Sequence, residues 1–201
     1  MLLKYVFDRI FAFVGILVLS PVYLFIIICI RFKMPDGPVF FPQKRIGLNG
    51  RLFIMYKFRT MIMNHIGSSI TVAGEERITT FGAFLRKYKL DELPELWNIL
   101  KAEMSFVGPR PDISGYADQL IGDDTIILSF RPGLTGPASL KYRNEEEELS
   151  HVQNPIKYNN EIIYPDKVRI NKLYIENWSF WLDIKIIAFT ILSKKYSDLL
   201  L

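Results

Sequence analysis

The sequence predicts a mainly helical α/β protein, and three observations support this prediction. An uncharged apolar run covers residues 10–30, two short β-type segments flank a glycine-containing stretch at 47–50, and helical patterns follow from residue 79 onward. The chain has 201 residues, enough for one domain with its own core or for one domain plus a membrane element. We divide it into an N-terminal membrane segment, 1–35, and a folded domain, 36–201.

Composition narrows the class of protein without identifying it. Half of the residues are hydrophobic, which is high for a soluble domain, and the excess lies at the two ends of the chain. The single cysteine, Cys29, lies in an apolar run, so no disulfide framework is expected. A net charge of +4 suits an anionic membrane surface or a phosphorylated ligand equally well. The basic residues are scattered along the chain, which disfavours a nucleic-acid binder.

The N-terminal apolar run is long enough to cross a bilayer as one helix. Ser20 and Pro21 lie at its middle, where proline lacks a backbone donor and bends a helix. Basic residues flank the run on both sides: Lys4, Arg9, Arg31 and Lys33. These flanks predict no orientation. Two alternatives follow, a spanning helix and a re-entrant hairpin that turns at Ser20-Pro21 and leaves on the face where it entered.

A β-hairpin is predicted after the apolar run. Residues 39–41 and 52–56 have the composition of strands, and the glycines between them suit a turn. Lys57 and Arg59 close the second segment, and strand alternation places them on one face. Two such cations suit a diphosphate, although a solvated strand end is the commoner outcome.

Two helices are predicted after a polar loop at 64–76. The first begins at Thr79 or Thr80, which can cap it, and the second begins near Asp91-Glu92-Leu93-Pro94. The predicted apolar face of the second helix consists of Leu93, Leu96, Trp97 and Leu100. At the electropositive start of that helix, Asp91 is expected to be ionised, as a nucleophile or metal ligand must be. The simpler alternative is that Asp91 caps the helix and Glu92 is a first-turn acid.

Stiff loops and further helices make up the remainder. Gly108-Pro109-Arg110-Pro111 holds an arginine between two prolines, as bidentate phosphate contact requires, or forms a simple turn. A second glycine-containing loop is predicted at 131–137 and a short strand at 139–142, just before Arg143. The acidic run at 145–148 is expected to be a solvated helix face or loop. Two C-terminal helices, one beginning at Pro165, suit either a membrane interface or core packing.

Four ordered motifs resemble the bacterial sugar transferases, small monotopic phosphoglycosyl transferases that start N-glycan, capsule and O-antigen assembly. The motifs are Lys57-Phe58-Arg59-Thr60-Met61, Leu90-Asp91-Glu92-Leu93-Pro94-Glu95-Leu96, Met104-Ser105-Phe106-Val107-Gly108-Pro109-Arg110-Pro111 and Arg131-Pro132-Gly133-Leu134-Thr135-Gly136. The resemblance covers nearly the whole chain. Residues 137–142 depart from it, because many relatives carry a Trp-, Gln- and Gly-containing stretch there.

The resemblance implies an enzyme that moves a phosphosugar from a UDP-sugar to polyprenol (undecaprenyl) phosphate and releases UMP. Asp91 would be the nucleophile of a phosphosugar-aspartyl intermediate, and Glu92 would help Asp91 to hold Mg²⁺ or would receive a proton. Phosphate or nucleotide contacts are expected from Lys57, Arg59, Arg110 and Arg143. The resemblance also favours the re-entrant hairpin, interfacial C-terminal helices and a catalytic domain on the cytoplasmic face of the bacterial inner membrane.

The main alternative is a membrane-bound adaptor that keeps the fold without catalysis. Asp91, Glu92 and Arg110 argue against it, since an adaptor needs none of them. A lipid phosphate hydrolase is disfavoured because the sequence shows no histidine-centred site. The sugar, the pathway served and the formation of a homodimer are left open by the sequence.

Overall fold

The computed structural model describes residues 1–63, 77–194 and 196–199, so the loop predicted at 64–76 lies outside the described residues. Helix α1 (Leu2–Lys33) leads to an antiparallel hairpin of β1 (Phe40–Ile46) and β2 (Leu52–Phe58). Next come α2 (Thr80–Lys87), a 3₁₀ turn (Leu90–Glu92), α3 (Glu95–Leu100) and β3 (Ser105–Val107). After two 3₁₀ segments, β4 (Gly133–Thr135) precedes the helices α4 (Pro137–Lys141), α5 (Glu145–Ser150), α6 (Pro155–Tyr158), α7 (Tyr164–Glu176) and α8 (Phe180–Ile191).

This architecture confirms a mainly helical α/β fold with a small β part. The hairpin lies where it was predicted, and α2 begins after Thr79, whose side chain accepts a hydrogen bond from the backbone of Gly82. The strand predicted at 139–142 is wrong, because α4 occupies these residues. Pro137 provides the fixed φ that suits a first helical turn, and the helix buries Ala138 and Leu140.

A parallel pair formed by β3 and β4 was not predicted. Ser105 pairs with Gly133 and Val107 with Thr135, so the two stiff loops of the sequence meet side by side. A Cβ atom on Gly133 would lie 2.2 Å from the backbone nitrogen of Gly108, which no side chain tolerates. These glycines therefore allow close backbone packing, and that packing holds the loop that carries Arg110.

Helix α1 packs one side along the folded domain over its whole length. Its buried residues are Lys4, Asp8, Ala12, Ile26 and Ile30, which recur at helical spacing. Ala12 belongs to a cluster with Leu96 of α3, and Ile26 and Ile30 belong to another with Phe58 and Leu85. The opposite side exposes large apolar side chains, among them Leu3, Val18, Phe25 and Phe32. The helix thus has one side for the domain and one apolar side that the described part of the chain leaves exposed.

The helix runs without interruption through Ser20 and Pro21, so the predicted hairpin turn is not confirmed. Pro21 has no N–H to donate to the carbonyl of Leu17, four residues earlier. The hydroxyl of Ser20 donates to this carbonyl instead, at 2.8 Å. The acceptor that proline leaves free is therefore satisfied within the helix, which explains how the chain passes this point in helical form.

Buried polar contacts fix the first turns of α1 to the domain. The Nζ of Lys4 donates to Oδ2 of Asp183 at 2.6 Å and to the carbonyl of Val107 at 2.7 Å. Asp183, on α8, also accepts hydrogen bonds from the Tyr174 hydroxyl and the Trp178 indole. One turn further along α1, Asp8 accepts from the side chain of Ser105 and from the backbone of Phe106. Lys4 is thus a buried residue of the domain, although the sequence suggested a basic flank.

A single asparagine anchors α3 against the hairpin. Asn98, fully buried, accepts a hydrogen bond from the backbone N–H of Tyr56 at 3.1 Å and donates to the carbonyl of Ile54 at 2.6 Å. The buried apolar residues of α3 are Leu96 and Ile99, whereas Trp97 is 52% exposed, so its predicted place on the buried face is wrong. Helix α3 packs between α1 and β2, and this packing buries the face that carries Leu96 and Ile99.

Candidate active site

Asp91 and Glu92 lie in the 3₁₀ turn Leu90–Glu92, ahead of α3, which begins at Glu95. The residue before the turn, Lys89, has a φ of 55° in the left-handed region, which reverses the chain direction after α2. Both carboxylates are buried, with 5% and 8% of their surfaces exposed. They are therefore largely shielded from water where the turn packs against α2 and β2.

Asp91 has a carboxylate oxygen without a partner. Its Oδ1 is buried and makes no hydrogen bond to any residue that the structure describes. Burial raises the pKa of Asp91; the charge of Lys57 opposes this shift and that of Glu92 adds to it. This raised pKa is opposite in direction to the shift expected at a helix start, because Asp91 precedes α3 and burial has the largest influence on its carboxyl group. An unsatisfied buried oxygen is costly for stability and marks a group free to bind or react.

Glu92 is held by two cations. Its Oε1 lies 2.9 Å from Nζ of Lys57 and accepts a hydrogen bond from Nη2 of Arg110. Burial alone would raise the pKa of Glu92, but Arg110 and Lys57 outweigh it and hold this pKa well below its usual range. Adjacent carboxylates with pKa values shifted in opposite directions are typical of sites where acid groups perform different tasks.

A third carboxylate, Glu95, belongs to the same cluster, and the sequence analysis assigned it no function. It is 1% exposed, and its Oε1 lies 3.3 Å from Nζ of Lys57. Burial, together with the nearby charge of Glu92, raises the pKa of Glu95 to about 7. The i, i+3 spacing from Glu92 is the sequence signal that would have placed both carboxylates on one side of a helical segment.

Further cations that the sequence analysis missed surround the carboxylates. Arg86, in the last turn of α2, and Lys89 both lower the pKa of Asp91 against the effect of burial. Arg45, on β1, donates to the carbonyl of Pro111 at 3.1 Å and so holds the loop that carries Arg110. Arginines such as these give a sequence signal only once the hairpin and α2 are known to meet at the turn.

Lys57 and Arg110 are the two predicted phosphate-contacting residues that the structure brings to the carboxylates. Arg59 has other contacts. It is 4% exposed and donates to backbone carbonyls near the end of α1, those of Met34, Gly37 and Pro38. Strand alternation does not apply to Arg59, because β2 ends one residue earlier. Its predicted phosphate contact is therefore not supported by this geometry.

Arg143 also lies apart from Asp91 and Glu92 in its contacts. Its Nη2 lies 3.4 Å from the carbonyl oxygens of Phe189 and Thr190 in the last turn of α8. A cation at a helix C-terminus is favourable because unpaired carbonyls carry partial negative charge there. This position explains Arg143 structurally without any ligand.

The carboxylates fit Mg²⁺ in chemistry and number. The described residues contain no group of three or more His, Cys, Asp or Glu side chains that could hold one metal ion. Mg²⁺ needs no such group, since it binds one or two carboxylates and takes water and phosphate oxygens besides. The unpartnered Oδ1 of Asp91 suits such a ligand. Glu92 has one oxygen committed to Lys57 and Arg110, which leaves the other for a cation.

Known proteins resemble this chain over most of its length. Residues 1–195 match the sequence model of a family described as bacterial sugar transferase. The chain is 39% identical over 190 residues to the UDP-glucose:undecaprenyl-phosphate glucose-1-phosphate transferase of Xanthomonas campestris pv. campestris, covering 91% of this chain and 37% of that protein. It is 36% identical over 191 residues to the uncharacterized sugar transferase EpsL of Bacillus subtilis, covering 95% of this chain and 86% of that protein.

A third relative is the undecaprenyl-phosphate galactose phosphotransferase of Salmonella typhimurium, 31% identical over 202 residues that cover 92% of this chain and 39% of that protein. The chain therefore spans less than half of the Xanthomonas and Salmonella proteins and most of the Bacillus protein. The match over residues 1–195, with the carboxylate turn and Arg110 inside it, shows that this chain belongs to the bacterial sugar transferase family.

Proposed function

We propose that this chain transfers a phosphosugar from a UDP-sugar to undecaprenyl phosphate, or a similar polyprenol phosphate, and releases UMP as the first membrane step of glycan assembly. The names of the Xanthomonas and Salmonella relatives support this substrate pair. The observation that carries the proposal is the buried Asp91, whose Oδ1 has no partner among the described residues, next to a Glu92 fixed by two cations. A protein without catalysis would gain nothing from this costly arrangement.

In the proposed mechanism, the ionised Asp91 attacks the phosphorus that carries the sugar. A bond forms between its carboxylate oxygen and phosphorus, and the bond between phosphorus and the UMP oxygen breaks. An oxygen of polyprenol phosphate then attacks the same phosphorus and frees the carboxylate of Asp91. Splitting the transfer in this way lets two bulky substrates use one site in turn.

The cations around Asp91 supply the electrostatic part of this mechanism. Phosphoryl transfer depends mainly on positioning and on neutralising charge at the phosphate oxygens. Arg86, Lys89 and Lys57 favour the ionised form of Asp91, which nucleophilic attack requires. Glu92, held ionised, orients Lys57 and Arg110 toward the turn. We propose Mg²⁺ as the cofactor, with Asp91 and Glu92 as its protein ligands, where it would neutralise charge on the donor diphosphate.

We further propose that residues 1–35 seat the domain in the bacterial inner membrane from its cytoplasmic face. Within the described part of the chain, α1 is the helix long and apolar enough to cross a bilayer. However, the domain packs along its whole length through residues from Lys4 to Ile30, so a spanning α1 would carry the domain into the hydrocarbon. A membrane segment that stays on one side, with its apolar side toward lipid, avoids this cost. Exposed Trp181 and Ile191 on α8, and Leu192 directly after it, suit the same lipid surface.

The intact mass of the protein after mixing with a panel of UDP-sugars and Mg²⁺, without acceptor, tests the function. Wild type is expected to gain the mass of one phosphosugar with its own donor, and Asp91→Asn is expected to gain none. The unfolding temperature of Asp91→Asn should equal that of wild type, which shows that the variant is folded. Glu147→Gln, an exposed acid on α5, is the matched control and should form the adduct. Release of UMP by Asp91→Asn at the wild-type rate would refute the nucleophile. Failure of wild type to release UMP from any donor with polyprenol phosphate would favour the adaptor.

A further inference from the structure

Helix α5 brings an acidic first turn to the edge of the active site. The sequence analysis expected the four glutamates at 145–148 to be solvated. Two of them are instead paired with cations from other elements. Oε1 of Glu146 pairs with Nη2 of Arg86, and Oε2 of Glu145 lies 2.6 Å from Nζ of Lys167. Glu145 and Glu146 are therefore built into the rim of the site, whereas Glu147 is exposed.

Arg86 connects this acidic helix with the proposed nucleophile. Its charge acts on Asp91, and its side chain is 21% exposed. The Nε of Arg86 is buried and has no partner among the described residues, so the guanidinium uses only part of its hydrogen-bonding capacity. A planar guanidinium can bind two oxygens of a phosphate at once, which one carboxylate oxygen of Glu146 does not match.

Two other cations of the site, Lys57 and Arg110, are bound to a buried acid. Lys57 and Arg110 pair with Glu92, and an anion that displaced Glu92 would leave a buried carboxylate uncompensated, at high cost. Glu146 differs because its side chain is 44% exposed and regains water when released. Among these ion pairs, the contact between Arg86 and Glu146 is therefore the one that an incoming phosphate breaks most easily.

We infer that Glu146 is an internal competitor of the donor diphosphate for Arg86. In the donor-free protein its carboxylate occupies the guanidinium, and phosphate oxygens replace it on binding. The inference rests on the proposed function for the identity of the donor. Glu146 touches no reacting atom in this scheme, so it acts on donor affinity through Arg86, and its removal should lower KM for the donor and leave kcat unchanged.

Binding of inorganic pyrophosphate to the full chain in detergent, measured by calorimetry, tests the inference. Glu146→Gln is expected to bind about two- to fivefold tighter than wild type, the range expected for loss of one partly exposed ion pair. Glu147→Gln makes the same change of charge on the next, exposed residue and should bind like wild type. In an Arg86→Gln background, Glu146→Gln should change nothing. With a donor that turns over, Glu146→Gln should lower KM by the same factor at constant kcat.

Four results would overturn the inference, and a fifth would separate it from the proposed function. Equal tightening by Glu146→Gln and Glu147→Gln would show a general effect of net charge, and tightening that persists in the Arg86→Gln background would exclude Arg86 as the acceptor. Absence of pyrophosphate binding by every variant would exclude an anion site at Arg86. Turnover by wild type with an unchanged KM in Glu146→Gln would refute the competitor and leave the proposed function intact. Tighter pyrophosphate binding without turnover of any UDP-sugar would support the contact and count against the function.

Discussion

Replacement of Lys4 by methionine should strongly destabilise the protein, although Lys4 lies near the start of a helix in an apolar segment. The change leaves Asp183, 4% exposed, without its cation, while Tyr174 and Trp178 continue to donate to it. Removing one partner of a buried ion pair costs about 3–5 kcal/mol. For a chain of this length, 1 kcal/mol shifts the unfolding temperature by about 2–4 °C, so we expect a decrease of about 6–20 °C.

The matching variants turn this prediction into a thermodynamic cycle. Asp183→Asn should cost a similar amount, because it leaves a buried ammonium group unpaired. The double variant should cost clearly less than the sum, with a coupling energy on the order of 3 kcal/mol, since it leaves neither charge behind. Arg9→Met removes an exposed cation from the same helix and serves as the control, with an expected change below about 0.5 kcal/mol. Chemical unfolding in detergent measures the four variants and wild type.

The result bears on the seating of the protein in the membrane. A cost below about 1 kcal/mol for Lys4→Met, without coupling to Asp183, would mean that the start of α1 does not rest on the domain. A helix free at that end could cross the bilayer, and the reasoning for a one-sided membrane segment would fail. A large coupling energy would mean that the first turn of α1 stays with α8 and β3, on the side where the domain lies.

Three further variants test the interior of the site and of α1. The raised pKa of Glu95 makes its ionisation unfavourable in the folded state, so the stability of wild type should fall as pH rises from about 4.5 toward about 7. Glu95→Gln should lack this fall. Urea unfolding of both proteins from pH 5 to pH 8 measures the difference, and parallel curves would contradict the prediction. Asn98→Leu should cost about 2–4 kcal/mol in the same assay, since it leaves the backbone groups of β2 without partners, and a neutral result would mean that the anchor is dispensable. Ser20→Ala should lower the free energy of unfolding by about 1 kcal/mol in wild type, because the Leu17 carbonyl loses its donor. In a Pro21→Ala background it should cost nothing, since the backbone N–H of residue 21 then donates to the same carbonyl. Equal costs in both backgrounds would contradict the role given to the Ser20 hydroxyl.

Local signals predicted much of the fold. The β-hairpin follows from its turn glycines, and α2 follows from its threonine cap, because both depend on residues close together in the sequence. The pairing of β3 with β4 had no such signal. Each strand is three residues long, and the partners lie far apart in the chain, so neither periodicity nor turn chemistry indicates them. The sequence left a continuous helix and a hairpin at Ser20-Pro21 as alternatives, because the satisfaction of a carbonyl by Ser20 is a matter of side-chain geometry.

In the candidate site, too, the sequence predicted features that depend on neighbouring residues better than those that depend on packing between distant segments. The sequence identified Asp91 and Glu92 as a pair and assigned Lys57 and Arg110 to phosphate contacts, whereas the structure pairs both cations with Glu92. The pKa of Asp91 is raised by burial, opposite to the direction expected at a helix start. Of this adjacent pair, Glu92 reaches both cations, while the Oδ1 of Asp91 has no partner among the described residues. The burial that determines this difference comes from α2, β2 and α3 together.

The charges of the site bear on how a diphosphate could enter it. Lys57 and Arg110 are neutralised in large part by Glu92, and Arg86 is neutralised by Glu146. A donor diphosphate thus meets cations already paired with carboxylates, beside an Asp91 that must itself be negative to attack. Bringing these anions together needs either the release of Glu146 or added positive charge, and a divalent cation on the free carboxylate oxygens supplies the second. Both steps act on the same repulsion, so the protein's affinity for its donor should depend on Glu146 most strongly where Mg²⁺ is scarce.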